Sequence, residues 1–415
     1  MISDSPSEAF VWTWLPDAIA PVVAGRLEAV GDIVQFNYGR SYLERDNAIP
    51  LYLPELPLER RVFAPPAQMK IAGCIADAGP DAWGMRVIMR RELGSASTKT
   101  DPAALTALTY LLESGSDRIG ALDFQRSATE YVTRQSNASL EELLKAAERL
   151  EQGLPFSREL DDVLLHGSSI GGARPKALLA DGGAGKIAKF SSLSDTYPVV
   201  KGEYAAMELA RRVGLEVATV SLTRALDKDV LLVDRFDRVG DTGARRSMVS
   251  ALTILELDEL MARYASYADL AHVIRERFTD AARTLRQLFA RITFNILVGN
   301  IDDHARNHAA FWDGEFLALT PAYDICPQPR SVGEVNQAMA IGSDGFRSSQ
   351  VAGCVAAASA YFVSESDARE IIDHQIETIQ RDWPDVADQA ELSEQDREYF
   401  WQRQFLNPFA IEGYR

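Results

Sequence analysis

The sequence predicts an α+β protein of two or three lobes. Short alternating runs separated by proline- and glycine-rich joints dominate up to about residue 238, and helical periodicity dominates beyond it. The 415 residues also exceed what a single compact core usually organises.

The segment 1–125 reads as a small α+β unit: a strand over Asp32–Tyr38, proline-rich joints over Pro50–Pro66, helices over Asp81–Leu93 and Ala103–Leu112, and a strand over Ile119–Phe124. Ser139 and Glu142 then stand in capping-box spacing, opening a helix that runs to Gly153. From Leu164 to Phe190 the pattern is that of antiparallel strands joined by glycine turns. A helix over Glu203–Val213, closed by Gly214, and a strand over Val230–Val233 complete the segment 126–238. In the last segment, 239–415, a helix over Ala281–Val298 gathers Leu285, Leu288, Phe289 and Ile292 on one face. The apolar stretch Val351–Val363 is shorter than the roughly 20 residues a membrane span needs and reads as a buried helix.

Composition narrows the classes of function. Hydrophobic residues at 47% and charged residues at 25% fit a soluble globular enzyme and argue against disorder or a membrane protein. A net charge of -17 repels phosphate backbones, so any role on DNA is expected to run mainly through a partner. Three cysteines, none in a Cys-x-x-Cys pair, exclude a disulfide framework and point to a reducing cytoplasm. Residues Met1–Pro6 have no basic region followed by an apolar core, so no signal peptide is expected.

The sharpest chemical signal is Gly299-Asn-Ile-Asp-Asp-His-Ala-Arg-Asn307, directly after a helix that stops at a glycine. Asp302 and Asn307 are separated by four residues, the spacing with which one kinase loop supplies a carboxylate to an attacking hydroxyl and an amide oxygen to Mg²⁺. A polar loop capping a helix has the same spacing. Downstream, the apolar run from Phe316 delivers Asp324, placed to bind Mg²⁺ on ATP phosphates. Upstream, Lys189 lies inside the apolar strand Lys186–Phe190, where an ammonium needs an anion. Glu203 follows on the first turn of the next helix, as a partner for such a lysine or as an ordinary response to the helix dipole. Before both runs a glycine-rich turn, Gly167–Lys176, whose Ser169, Ile170, Gly171 and Gly172 offer backbone amides to phosphates, with Lys176 at its end. Ala173 stands where a Walker loop requires lysine.

The order decides between these readings: glycine-rich loop, strand lysine, helix glutamate, apolar hinge strand, Asp-x-x-x-x-Asn, strand-borne Asp. It predicts a two-lobed protein-kinase-like fold, with a mixed antiparallel N-lobe behind an added N-terminal α+β subdomain and a mostly helical C-lobe.

The runs SSIGGARPKALL, VLLVDRFDR, ILVGNIDDHARNHAAFW and LTPAYDICP, with IADAGPDAWGMRVIMRR and DRIGALDF nearer the N-terminus, resemble those of the HipA-type kinases, toxins of bacterial toxin-antitoxin pairs. The resemblance covers residues 10 to 385. It implies transfer of the ATP γ-phosphate to a serine or threonine of a protein, foremost an aminoacyl-tRNA synthetase such as glutamyl-tRNA synthetase, with translation inhibited and growth slowed into persistence. It also implies a HipB-like helix-turn-helix antitoxin that brings the kinase to operator DNA. Residue by residue, it implies Asp302 as the catalytic Asp, Asn307 and Asp324 as Mg²⁺ ligands and Lys189 as the ATP lysine. The backbone of Asp234, Arg235 and Phe236 falls on the adenine-binding hinge, and Ser169, with Ser168 as the alternative, on the autophosphorylated serine that switches the enzyme off.

Three rival readings remain at this stage: a metal-dependent hydrolase using Asp302, Asp303, His304 and His308; a catalytically idle kinase-fold scaffold or corepressor; and a small-molecule kinase with the same phosphate machinery.

Overall fold

The computed structural model describes residues 5–66, 68–93, 102–135, 138–152, 154, 174–179, 185–329 and 334–414. The fold is α+β, and the chain forms two compact units that it visits alternately. One comprises Met1–Ser194, Thr223–Val249 and Trp312–Glu315; the other comprises Asp195–Leu222, Ser250–Phe311 and Phe316–Arg415. Among the described residues no helix is long and apolar enough to cross a membrane.

In the first unit, β1 (Glu8–Thr13), β2 (Val22–Val30), β3 (Ile33–Tyr38), β4 (Val62–Phe63) and β5 (Leu122–Gln125) form an antiparallel sheet in the order β4-β3-β2-β1-β5. Period-two alternation sends Val34, Phe36 and Tyr38 into the core. Strand β5 begins at Leu122 and not at Ile119, because Gly120 adopts a left-handed φ of 75° that interrupts the extended run. The helix Ala82–Leu93 starts as expected. The next one, Ala107–Glu113, starts four residues later than the sequence suggests, since Thr106 caps it by accepting from the Thr109 amide, and Pro102–Ala104 forms a separate 3-10 turn.

A second antiparallel sheet follows, with β6 (Lys176–Leu179), β7 (Lys186–Phe190), β8 (Val220–Ala225) and β9 (Lys228–Asp234) in the order β6-β7-β9-β8. One face buries Ala177, Ala188, Phe190 and Val230 against Leu143, Leu144 and Ala147 of the helix Leu140–Glu151. That helix opens with the expected reciprocal capping box between Ser139 and Glu142. Trp83 and Ile88 belong to the same core, so it draws on residues from both sides of position 125.

The second unit is mostly helical. Ala281–Leu297 is its central helix, with Leu285, Leu288, Phe289 and Ile292 buried on the face the periodicity marks out. Two expectations change here. The helix expected from Glu203 spans Val199–Arg212, entered from Pro198, so Glu203 sits in its second turn, buried and away from the N-terminal dipole. The apolar stretch from Val351 is an α-helix only to Ala357. It tightens to a 3-10 turn over Ala358–Tyr361 and ends at Phe362, which is left-handed at φ 53° and 71% exposed, so this stretch is only half buried.

Candidate active site

The helix Ala281–Leu297 aims the chain at the candidate loop and stops sharply. Gly299 takes φ 75°, its amide donates to the Ile296 carbonyl at 3.2 Å, and the Asn300 amide donates back to Asn295 at 2.8 Å. These two bonds make a Schellman cap. Glycine is also required by space, because a Cβ at Gly299 would lie 2.9 Å from the Gln404 carbonyl oxygen.

Within the loop, the two adjacent aspartates turn opposite ways. Asp302 is exposed and Asp303 is buried. Asp303 accepts from Tyr267 Oη at 2.5 Å, from Asn295 Nδ2 at 2.8 Å and meets His308 Nε2 at 2.9 Å. Asn295 Oδ1 in turn accepts from Asn300 Nδ2 at 3.0 Å. Burial alone would raise Asp303, but the His308 and Tyr267 contacts outweigh it and hold the carboxyl below the usual range. The Asp303 and His308 pair that a hydrolase would use on a metal is therefore spent on fixing the loop. Among the described residues no three His, Cys, Asp or Glu side chains are arranged to hold a metal ion.

Asn307 closes the loop's single 3-10 turn, Ala305–Asn307, and its Nδ2 donates to the Asp302 carbonyl at 3.4 Å, tying the two ends of the Asp-x-x-x-x-Asn together. Asp324 arrives from a shorter strand than expected, which covers only Leu317–Leu319. The chain beyond it is held by a parallel bridge from Val217 to Ala322 and by Arg291, which donates to the Thr320 carbonyl at 2.7 Å. Tyr323 Oη donates to the Arg306 carbonyl at 2.7 Å, which fastens the residue before Asp324 to the loop of Asp302. Asp324 itself is left-handed at φ 60°, an uncommon conformation for a non-glycine residue and one that concentrates at functional sites.

Partial desolvation pushes the Asp302 carboxyl above the usual carboxylate range, with the Asp324 and Asp303 charges adding to the effect and His304 opposing it. Asn307 and Asp324, the pair expected to hold the metal, offer oxygen donors, which suit a hard cation such as Mg²⁺ better than zinc.

In the first unit, Lys189 lies on β7 directly opposite Lys176 on β6 and Leu231 on β9. Like charges facing each other across a sheet are unfavourable unless anions attend them. Lys176, buried, has Asp81 at 3.2 Å. Asp234 closes β9 with its carboxylate 3.4 Å from Lys186, and the Arg235 amide donates to the Gly185 carbonyl at 3.2 Å. Arg235 is almost fully buried among carboxylates, while Phe236 is half buried. The glycine-rich turn expected to cover phosphates, with Ser168, Ser169, Ile170, Gly171 and Gly172, lies outside the described residues. Asp302, Asn307, Asp324 and Glu203 all belong to the second unit and Lys189, Lys176 and Asp234–Phe236 to the first.

Sequence reasoning missed the parts that hold the loop: Asp303 as its anchor, with Asn295, Tyr267 and Tyr323. Asn295 carried the one usable signal, an amide in the otherwise apolar last turns of its helix.

Comparison with known proteins agrees with this architecture. A family model described as the HipA-like C-terminal domain matches residues 168–383, and one described as the HipA N-terminal domain matches residues 18–125. The serine/threonine-protein kinase toxin HipA of Shewanella oneidensis is 26% identical over 183 residues, 38% of this chain and 42% of that protein. Y4mE of Sinorhizobium fredii is 27% identical over 136 residues, 30% of this chain and 31% of that protein. The chain thus spans less than half the length of either of these curated relatives. A solved structure of the Shewanella oneidensis MR-1 toxin-antitoxin system HipA, HipB and operator DNA complex superposes with a TM-score of 0.68 at 18% identity, covering 94% of this chain and 97% of that one, which shows the fold.

Proposed function

The chain belongs to the HipA family, and from that premise we propose that it is an ATP- and Mg²⁺-dependent protein serine/threonine kinase acting as a toxin. The observation that carries the reading is the joining of the Asp302–Asn307 loop to the Asp324 segment through Tyr323 and Arg306. In this reading Asp302 accepts the proton of the acceptor hydroxyl at its carboxylate, and its raised proton affinity suits that task. Asn307 and Asp324 are the residues that would hold Mg²⁺, which when bound neutralises charge on the ATP phosphates. Lys189 supplies an ammonium to those phosphates, and the backbone of Asp234–Phe236 meets adenine.

The expected acceptor is a serine or threonine of an aminoacyl-tRNA synthetase, glutamyl-tRNA synthetase foremost, so that translation is inhibited and growth slows. A HipB-like antitoxin neutralises the kinase and carries it to operator DNA, which fits the -17 charge of the chain. The protein works in the cytoplasm. Phosphorylation of Ser169 adds a charge of roughly -1.5 to -2 to a loop meant to cover phosphates and switches the kinase off.

Phosphoproteomics after brief expression of the wild type and of Asp302→Asn tests the substrate class. A seryl or threonyl site on a synthetase, enriched only with the wild type, is expected; no enriched protein site, with ATP still consumed, contradicts it. Ser169→Asp is expected to bind and turn over ATP poorly, and wild-type turnover by this variant argues against the switch.

A further inference from the structure

The first unit contains a buried ionic clasp that the kinase reading does not use. The turn Asp117–Gly120 lies against Arg235–Arg238, the residues that follow β9, although 118 residues separate Asp117 from Arg235 in sequence. Arg235 donates through Nη1 to Asp117 at 2.9 Å, through Nη2 to the Arg118 carbonyl at 2.6 Å, and through Nε and Nη2 to the two Asp237 oxygens at 2.9 and 2.7 Å. Arg238 repeats the pattern, with Nη2 2.7 Å from Asp117 and 2.6 Å from the Arg118 carbonyl, and Nη1 3.1 Å from the Gly120 carbonyl. The Gly120 amide closes the circuit by donating to Asp237 at 2.7 Å. The side chains of Arg235, Asp237 and Arg238 are 1%, 4% and 9% exposed.

An ionic cluster this buried is a poor device for stability alone, since desolvation offsets most of the attraction and apolar residues of equal volume often do as well. Planar guanidinium forks that satisfy two carboxylates and two carbonyls at once do supply fixed geometry. Here they fix the backbone of 235–238 from a turn just before β5, more than a hundred residues upstream.

We propose that Asp117, with Arg235, Asp237 and Arg238, is a positioning device for nucleotide binding, and that the N-terminal segment is thereby a working part of the ATP site and not only an appended module. The inference rests on the assignment of Asp234–Phe236 as the strand-end backbone that meets adenine. None of the clasp side chains touches the nucleotide; they act by holding that backbone in register.

Binding of a fluorescent ATP analogue with Mg²⁺, measured on the full chain, tests it. Asp117→Asn is expected to raise the nucleotide Kd and the KM for ATP by roughly 2- to 30-fold, the range by which residues outside a site modulate it, with the KM for the protein acceptor unchanged. Phe36→Leu, which loosens the core of the same unit away from the clasp, is expected to lower the melting temperature and leave the nucleotide Kd as in the wild type. If Asp117→Asn does not fold, Arg238→Lys, which keeps the charge and loses the fork, carries the same expectation. Wild-type nucleotide affinity in the clasp variant, or an equal loss in Phe36→Leu, overturns the proposal. A wild-type protein that binds no nucleotide overturns the kinase reading itself and this inference with it, a result distinct from either.

Discussion

His308 Nε2 lies 2.9 Å from Asp303 Oδ2, both side chains buried, while the preceding Asp302 faces solvent. The pair, with Tyr267 and Asn295, ties the loop to the helices beside it. Asp303→Ala leaves His308, Tyr267 and Asn295 facing an empty acceptor position, and losing one partner of a buried pair costs about 3–5 kcal/mol. Chemical denaturation is expected to show that loss. The more conservative Asp303→Asn is expected to fold, to bind ATP with little change, and to lose phosphate transfer as Asp302 goes out of place. Unchanged transfer by Asp303→Asn contradicts the anchoring role.

Gly299→Ala tests the cap that aims this loop. A left-handed residue with a Cβ costs roughly 1–2 kcal/mol, and here that Cβ would also meet the Gln404 backbone at 2.9 Å. A melting temperature several degrees below the wild type is expected, together with reduced transfer. A melting curve that overlays the wild type shows that the cap tolerates a side chain.

The clasp carries a pH signature. Burial alone would raise Asp117 and Asp237, but the Arg235 and Arg238 guanidiniums outweigh it and hold both carboxyls below the usual range. Folded values below unfolded ones mean that their stabilisation is fully present above the unfolded value of about 4 and is lost as pH falls through the folded values. Urea midpoints of the wild type and Asp117→Asn are therefore expected to differ most at neutral pH and to converge in acid, below about pH 4. A gap that stays constant down to pH 3 contradicts the ion-pair account.

Metal dependence separates the site from the scaffold. Among the described residues no three acidic, His or Cys side chains form a structural metal cluster. EDTA is accordingly expected to abolish phosphate transfer, Mg²⁺ to restore it, and the melting temperature to stay unchanged. A large fall in melting temperature on chelation, reversed by Zn²⁺ and not by Mg²⁺, contradicts the Mg²⁺ assignment and revives the hydrolase reading.

Much of the architecture was legible because it is written locally. Apolar periodicity marks the helix Ala281–Leu297, and the capping box marks the helix that starts after Ser139. Asp302, Asn307 and Asp324 could be picked out as candidates for a related reason: the spacing expected of a phosphate-transfer loop lies within one short stretch of chain. Which of two adjacent aspartates turns inward was not legible, because it depends on Tyr267, 36 residues upstream, and on an amide eight residues back. The early start of the helix Val199–Arg212 was hidden for want of a side-chain cap, since Pro198 precedes it. The clasp between Asp117 and Arg235 joins residues just before one expected strand to the end of another, 118 positions apart, and only the fold brings them together.

The central claim is tested most directly by incubating the purified chain with γ-labelled ATP, Mg²⁺ and a bacterial protein extract, beside Asp302→Asn. The account predicts label on protein seryl or threonyl groups with the wild type, and transfer lower by about 10²–10⁴-fold with Asp302→Asn, as for loss of a general base, while nucleotide still binds. Equal labelling by the two proteins, or ATP binding by the wild type with no transfer to any protein, would contradict it.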